Sequence, residues 1–435
     1  MSPNKSLKSY SNALLVTVAL ILALVPGAWA GDKYKLLHAF NGNRGSSPQA
    51  SLISDAAGNL YGTTAYGGVH FYGTVFKLTP QGDGKWTEKV LHSFNGLDGC
   101  VPVSGLVLDA LGNLYGTTQS GGESTYCAGD PPPGNGTVFE LTPGADRRWT
   151  EKVLHRFKND GKDGHNPAAS LTFDAPGNLY GTTEGGGVNK FGAVFELVHG
   201  KNGAWTEKVL HSFGGNTGAN PRAALIFDTA GNLYGTTLFG GNSCPLSTAS
   251  GTAFELTPGA KAKWIAKTIY TFKCTDGEMP LAPLIPDGAG NLYGTAYAGG
   301  IINEYCDTGS CGVVFELTPG ARGDWSEKVL HRFKYNGKDG TNPGASLVFD
   351  TAGNLYGTTF WGGARHGGIV FELTQDKNGD WNEKVLHTFG LYGSQPLSGL
   401  TFDAAGNLYG TASEGGNLRG NCPPWGCGVV FEIVP

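Results

Sequence analysis

Asp55-Ala56-Ala57-Gly58-Asn59-Leu60-Tyr61-Gly62-Thr63 is the first of seven copies of one phrase, Asp-x-x-Gly-Asn-Leu-Tyr-Gly-Thr. The others start at Asp109, Asp174, Asp228, Asp287, Asp350 and Asp403. Their tyrosines, from Tyr61 to Tyr409, are spaced by 54, 65, 54, 59, 63 and 53 residues. Around each copy stand three more short runs. In the first unit these are Ser51-Leu52-Ile53 before it, Val75-Phe76-Lys77-Leu78 after a Gly-Gly and a loop, and Lys89-Val90-Leu91-His92 after a short turn. We name the four runs a, b, c and d, with the Leu-Tyr-Gly-Thr run as b. Each is short, rich in β-branched and aromatic residues, and bounded by Gly, Pro, Asn or Asp, which marks strands. Sustained 3.6-residue periodicity is absent from the chain after its first thirty residues. Four antiparallel strands in a repeat of this length are the signature of a β-propeller blade.

The ends decide between a ring and an open array. A d-type run, Lys35-Leu36-Leu37-His38-Ala39-Phe40, precedes the first unit, and the chain stops after a c-type run, Val429-Val430-Phe431-Glu432-Ile433. The last unit therefore lacks strand d, and the N-terminal run supplies one. An open array would leave two unpaired edges, which invite aggregation. The expectation is an all-β, seven-bladed propeller, closed by the N-terminal strand, forming a single domain over residues 31–435. The d–a links are the uniformly long ones, so they carry the chain from one blade to the next.

The repeated phrase, the Gly-Gly, the Val-Phe-Glu-Leu strand and the Leu-His-Ser-Phe strand resemble the GloVer-containing, choice-of-anchor tandem-repeat proteins of bacteria. The resemblance covers residues 34–435. Members of that family often carry a C-terminal sorting anchor; here the sequence stops at Pro435, directly after strand c. The resemblance implies no activity that transfers onto residues.

Composition fits this reading. Glycine supplies 71 of 435 residues, with charged residues at 15%. That glycine share is about twice the usual ~7%, and the charge is well below the usual ~25%. Residues 1–30 read as an export signal: Lys5 and Lys8, an apolar run from Ala13 to Val25, then Ala28-Trp29-Ala30 as a cleavage site. As a helix that run spans about 20 Å, too short for a ~30 Å hydrocarbon core. The formal charge of −5 becomes −7 once the two lysines are removed. A net negative chain lacks the basic face that nucleic acid requires. A monomer outside the cytoplasm, without a membrane span after cleavage near Ala30, is expected.

In a four-stranded meander, alternate links share a face. The a–b and c–d links form a monotonous turn face; the b–c and d–a links form a loop face that holds nearly all the variation, and variable loops on a rigid scaffold are where binding usually lives. All eight cysteines fall on it. In an exported chain they read as disulfides, and neighbouring loops suggest Cys100–Cys127, Cys244–Cys274, Cys306–Cys311 and Cys422–Cys427. A zinc reading of the two Cys-x4-Cys pairs is weaker, because they lie on blades that do not touch. No cofactor or metal is expected, with calcium left open at the Asp-Gly turns of the d–a links, Asp160-Gly161, Asp163-Gly164 and Asp339-Gly340, which match a calcium-ligand loop only weakly.

Residues that recur in six or all seven units serve the blade. This covers the histidines at 38, 92, 155, 211, 331 and 387, the tryptophans that lead strand d, and the turn aspartates, which cap their own backbone. Function belongs where units differ. Between the b-strand threonines and the Gly-Gly lies a dipeptide slot that contains Tyr66, Phe239, Tyr297, Phe360 and Trp361, and Trp425 lies in a cysteine loop. Exposed aromatics suit stacking on sugar rings or a partner protein. The slot's two carboxylates, Glu184 and Glu414, sit on blades 3 and 7, too far apart for a glycosidase pair. Three functions follow: a non-catalytic binder of glycan or protein through the loop face, a hydrolase or lyase acting in the central funnel, or a structural envelope component.

Overall fold

The computed structural model describes residues 34–123, 127, 134–146, 148–241, 250–260, 263–390 and 393–435. The proposed export signal and Cys244 lie outside these residues. No α-helix occurs among the described residues. Seven four-stranded antiparallel sheets make up the propeller. In blade 1, strand a is Ile53–Ser54, b is Leu60–Thr64, c is Thr74–Pro80 and d is Trp86–Ser93. Blades 2–6 repeat this order. Blade 7 is assembled from Thr401–Phe402, Leu408–Ala412 and Val429–Ile433, with Tyr34–Ala39 as its fourth strand. Tyr34 pairs with Ile433 and Ala39 with Val429, antiparallel.

Strand b is held in the interior of each blade by its glycine. A Cβ at Gly62 would stand 2.7 Å from the ring of Phe76, its strand-c neighbour. Glycine is what lets that phenyl ring lie flat against the backbone. Six other blades repeat the contact, as at Gly116 against Phe139. Each strand d carries a bulge that admits one extra residue. In blade 1 His92 pairs with Val75 and Val90 with Phe76, so Leu91 is extra.

Blades adhere through repeated contacts. The phenylalanine after strand d meets the strand-c phenylalanine of the next blade at all seven junctions, with centroids 4.9–5.3 Å apart. These steep-angled aromatic pairs contribute about 0.5–1.5 kcal/mol each beyond burial. At five junctions the tryptophan leading strand d packs on the strand-b tyrosine of the preceding blade, 5.9–6.3 Å away. A strand-b threonine also donates to a carbonyl at the start of the next blade, from Thr63 to Ser104 through Thr411 to Ala50, at 2.9–3.4 Å. The contact between blades 7 and 1 is of the same kind as the other six.

Candidate functional site

On the turn face every unit closes on itself. The Asp Oδ1 accepts from the Asn backbone four residues on at 2.7–2.9 Å, and Oδ2 accepts from that Asn side chain at 2.7–2.8 Å. The strand-b tyrosine hydroxyl stands 3.0–3.2 Å from the same oxygen. Burial alone would raise the carboxyls of Asp55, Asp228, Asp287, Asp350 and Asp403, but these hydrogen bonds outweigh it and hold them low. The aspartates are turn caps, as their spacing suggested.

The loop face is built on a different repeated device. In each d–a link the residue before proline takes a left-handed backbone: Ser47, Val101, Asn166, Asn220, Met279, Asn342 and Gln395, with φ between 53° and 59°. This turns the link under the dipeptide slot. The preceding residue then bridges the slot's second residue, as Ser46 with Tyr66, Ala219 with Phe239, Thr341 with Trp361 and Ser394 with Glu414. Three of the left-handed residues are asparagines, whose side chains donate to the slot carbonyls of Gln119, Glu184 and Tyr297 at 2.8–3.0 Å. The slot is thus fixed in backbone while its side chains are free to differ.

Three disulfides staple this face: Cys100–Cys127, Cys306–Cys311 and Cys422–Cys427. Cys274 is also disulfide-bonded, and its expected partner Cys244 lies outside the described residues.

At the funnel mouth the first slot residues meet. Gln119 Nε2 donates to Glu184 Oε1 at 3.0 Å, and Arg222 Nη2 donates to Glu184 Oε2 at 2.9 Å. Across from this polar edge, Tyr297 and Phe360 stand 6.2 Å apart, and Phe360 meets Trp361 edge-on at 4.9 Å. Below them the channel narrows to about 130 Å³ between small residues such as Ser51, Ser104, Ser170 and Ser346. A Cβ on Gly399 would fall 2.5 Å from Ser346 Oγ.

A cavity larger than this channel lies off the axis, between blades 6 and 7. It is a cleft of about 600 Å³, lined by Trp361, Arg365, His366, Glu414, Leu418 and Trp425 among others. Trp425 sits inside the Cys422–Cys427 loop, where its carbonyl accepts from Gly415 N at 2.7 Å and the residue is 59% exposed. Trp361 is held from below, with its carbonyl accepting from Thr359 Oγ1 at 2.8 Å. Glu414 exchanges backbone bonds with Ser394 and accepts from its hydroxyl at 3.3 Å; burial raises its carboxyl. An aromatic ladder leads away from the cleft: His366 stacks on Tyr335 at 5.5 Å, and Tyr335 stacks on Tyr305 at 5.6 Å. Of the six aromatic candidates, the cleft unites Trp361 and Trp425, with Phe360 and Tyr297 continuing from Trp361 to the funnel. Tyr66 and Phe239, on blades 1 and 4, line neither wall of it. Sequence reasoning missed Arg365, His366, Tyr305 and Tyr335, which lie in links with no shared register.

A seven-bladed propeller with one stapled, variable face is the class that these observations define. The profile of the Gloeobacter/Verrucomicrobia repeat matches residues 25–129, 125–306 and 245–435, and the chain belongs to that family. No curated protein sequence matches it. Among solved structures it is similar to virginiamycin B lyase from Staphylococcus aureus, at 14% identity and a TM-score of 0.53, over 92% of this chain and 100% of that one. It is also similar to the extracellular domain ascribed to a one-component system of B. thetaiotaomicron, at 10% identity and a TM-score of 0.52, over 88% of this chain and 39% of that one. At these identities the likeness is one of fold.

Proposed function

We propose that this protein is an exported binding module that takes a glycan into the cleft between blades 6 and 7. The carrying observation is that two indoles from different blades, Trp361 and Trp425, line one preformed cavity. Its volume of about 600 Å³ falls in the range of ligand pockets, which combine apolar walls with a few placed polar groups. Indole faces pack on the C–H faces of a pyranose, while Arg365, His366 and Glu414 supply donors and acceptors for hydroxyls. Both walls are pinned by backbone bonds and one by a disulfide, so little ordering entropy is lost on binding. Export, with removal of residues 1–30, fits a chain stapled by disulfides; among the described residues no helix is long and apolar enough to cross a membrane.

A glycan array probed with the mature chain tests this. Binding to a defined polymer, lost in Trp361→Ala and in Trp425→Ala but kept in Tyr66→Ala, supports the reading. Absence of binding to every polymer and envelope extract overturns it. A second reading, cleavage of the bound glycan, draws on the raised carboxyl of Glu414 in the same cleft as His366. Product release that stops in Glu414→Gln would favour it.

A further inference from the structure

The recurring histidines of strand d do more than fill their blades. At three junctions each one meets an aspartate of its own d–a link and a glutamate from strand d of the next blade. The clusters are His92–Asp98–Glu151, His155–Asp163–Glu207 and His331–Asp339–Glu383, and in each the three donor atoms lie within 4.8 Å of one another. His92 and His155 Nε2 stand 3.0 Å from the aspartate Oδ2, and His331 stands at 3.4 Å.

Two carboxylates facing each other in a half-buried crevice repel unless something positive lies between them. Every cluster leaves at least one buried donor or acceptor without a hydrogen bond. Glu151 Oε1 is orphaned in the first; Asp163 Oδ1 and Glu207 Oε1 in the second; His331 Nε2, Asp339 Oδ1 and Glu383 Oε1 in the third. The Asp163 and Asp339 side chains are only 9% and 6% exposed. Glu88 Oε1 and Glu327 Oε1, at junctions without the full trio, are unpaired as well, so the acceptors peculiar to the clusters are Asp163 Oδ1 and Asp339 Oδ1; unpaired buried acceptors cost free energy, and natural structures rarely leave them so.

The other four junctions show how the pair is handled where the histidine trio is incomplete. Between blades 7 and 1 the link carries Arg44 in place of the aspartate, and its Nε sits 3.0 Å from Glu88 Oε2. Between blades 4 and 5 Tyr270 replaces the histidine and its hydroxyl donates to Asp276 at 2.6 Å. At the two remaining junctions both carboxylates are gone together. Ala266 takes the glutamate position in one, Tyr34 takes it in the other, and neither link holds an aspartate. The carboxylates come as a pair, and a lone glutamate comes with a fixed cation.

We propose that each of the three His–Asp–Glu clusters binds a divalent cation of the zinc or manganese class, clamping neighbouring blades at the rim. One imidazole and two carboxylates form a net −2 donor set suited to such ions. Tetrahedral sites place ligand atoms about 3.3 Å apart, so the clusters need only small carboxylate rotations to close. The His155 cluster has Asp160 beside it as a further negative charge, whereas Arg156 faces Glu151 of the first.

The test uses the mature chain stripped with chelator, then equilibrated with Zn2+ or Mn2+ at pH 7.5. Expected are three bound ions per chain and a raised melting temperature. Asp98→Asn, Asp163→Asn and Asp339→Asn each remove one equivalent, whereas Glu327→Gln, at the Tyr270 junction, removes none. His155→Gln keeps a donor towards Asp163 and removes the ligand; it serves if an aspartate variant fails to fold, with the same loss of one ion. Stoichiometry that these substitutions leave unchanged overturns the proposal. So does a melting temperature that is insensitive to both metals and rises only as pH falls, since the carboxylates would then share a proton.

Discussion

The turn face and the loop face are made by the same seven units and obey opposite rules. On the turn face, Asp55 and its six counterparts are each satisfied within their own hairpin, and every copy shares the Asn and Tyr partners at nearly the same distances, while the amide two residues on is lost only at Asp174, where Pro176 has no N–H. On the loop face the backbone repeats just as strictly, with a left-handed residue before every link proline, but the side chains make contacts across blades. Local satisfaction leaves no room to vary. A slot whose geometry comes from backbone alone allows each blade a different side chain, and a cleft can form where two suitable ones meet.

The comparison breaks most completely at the strand that belongs to neither end of a unit. Deleting residues 33–40 removes the partner of Val429–Ile433 and the Phe40–Phe76 contact between blades 7 and 1. We expect aggregation or loss of the cooperative melt, because exposed edges pair with other chains. A monomer with an unchanged melting temperature would show that blade 7 does not need this strand.

Reduction separates the faces more gently. Cys100–Cys127 spans 27 residues, and such a cross-link restricts the unfolded chain by about 3 kcal/mol if unstrained. The two bridges spanning 5 residues restrict it less. Reductant should lower the melting temperature while leaving the β circular dichroism signal intact. Loss of that signal would mean that the staples hold blades together rather than loops.

A single turn cap comes next. Asp287→Ala removes the acceptor for Ala289 N, Asn291 N, Asn291 Nδ2 and the Tyr293 hydroxyl. The expected cost is about 2 kcal/mol, at the upper end of capping losses. The same change at Asp228 or Asp403 should cost the same, measured by chemical denaturation. Unequal costs would contradict the independence of the hairpins. Trp425→Ala, on the loop face, should leave stability nearly unchanged.

Across the Tyr270 junction, pH provides a finer probe. Burial pushes the Glu327 carboxyl up to about 7, with Asp276 adding to the shift. A carboxyl raised in the fold favours the folded state when protonated. Its contribution is therefore full below the ordinary glutamate value of 4.5 and is lost as pH rises through 7. Melting temperature should fall between pH 5 and 8. Glu327→Gln, whose amide mimics the protonated acid, should recover on the order of 1 kcal/mol at pH 8 once solvent screening is allowed for. An equal recovery at pH 5 would rule out titration as the cause.

How far the sequence reached follows the same division. The strands, the blade count, the turn caps and the pairs Cys100–Cys127, Cys306–Cys311 and Cys422–Cys427 were legible because each is local or repeats seven times. The Trp361–Trp425 cleft was legible only in part. Both indoles were candidates, but Trp425 lies in an insertion without register to the other blades, so nothing in the spacing joined them. Tyr305, Tyr335 and His366 were invisible for the same reason. The histidines misled in a different way. Their recurrence pointed to a role inside one blade, yet Glu151, Glu207 and Glu383 reach them from the next, and a pattern read within units does not show contacts between units.

The smallest effect tests whether the loop-face backbone is independent of what it carries. Val101 stands at φ 57°, in the left-handed region that a β-branched residue avoids at a cost of about 1–2 kcal/mol. Its fold position is nonetheless fixed, since its amide donates to the Tyr72 carbonyl at 3.0 Å and its own carbonyl accepts from Gln119 N at 3.1 Å. The equivalent residues Asn166, Asn220 and Asn342 tolerate this conformation and add a side-chain bond to a slot carbonyl. In blade 1 that carbonyl belongs to Ala65. Val101→Asn should therefore stabilise the protein by about 1 kcal/mol, through relief of the backbone and one added hydrogen bond, and Asn220→Val should destabilise it by a similar amount. Denaturation midpoints at fixed slope measure both. If Val101→Asn is neutral while Asn220→Val is costly, the apolar packing of Val101 offsets its strain, and the link is tuned blade by blade rather than built to one plan.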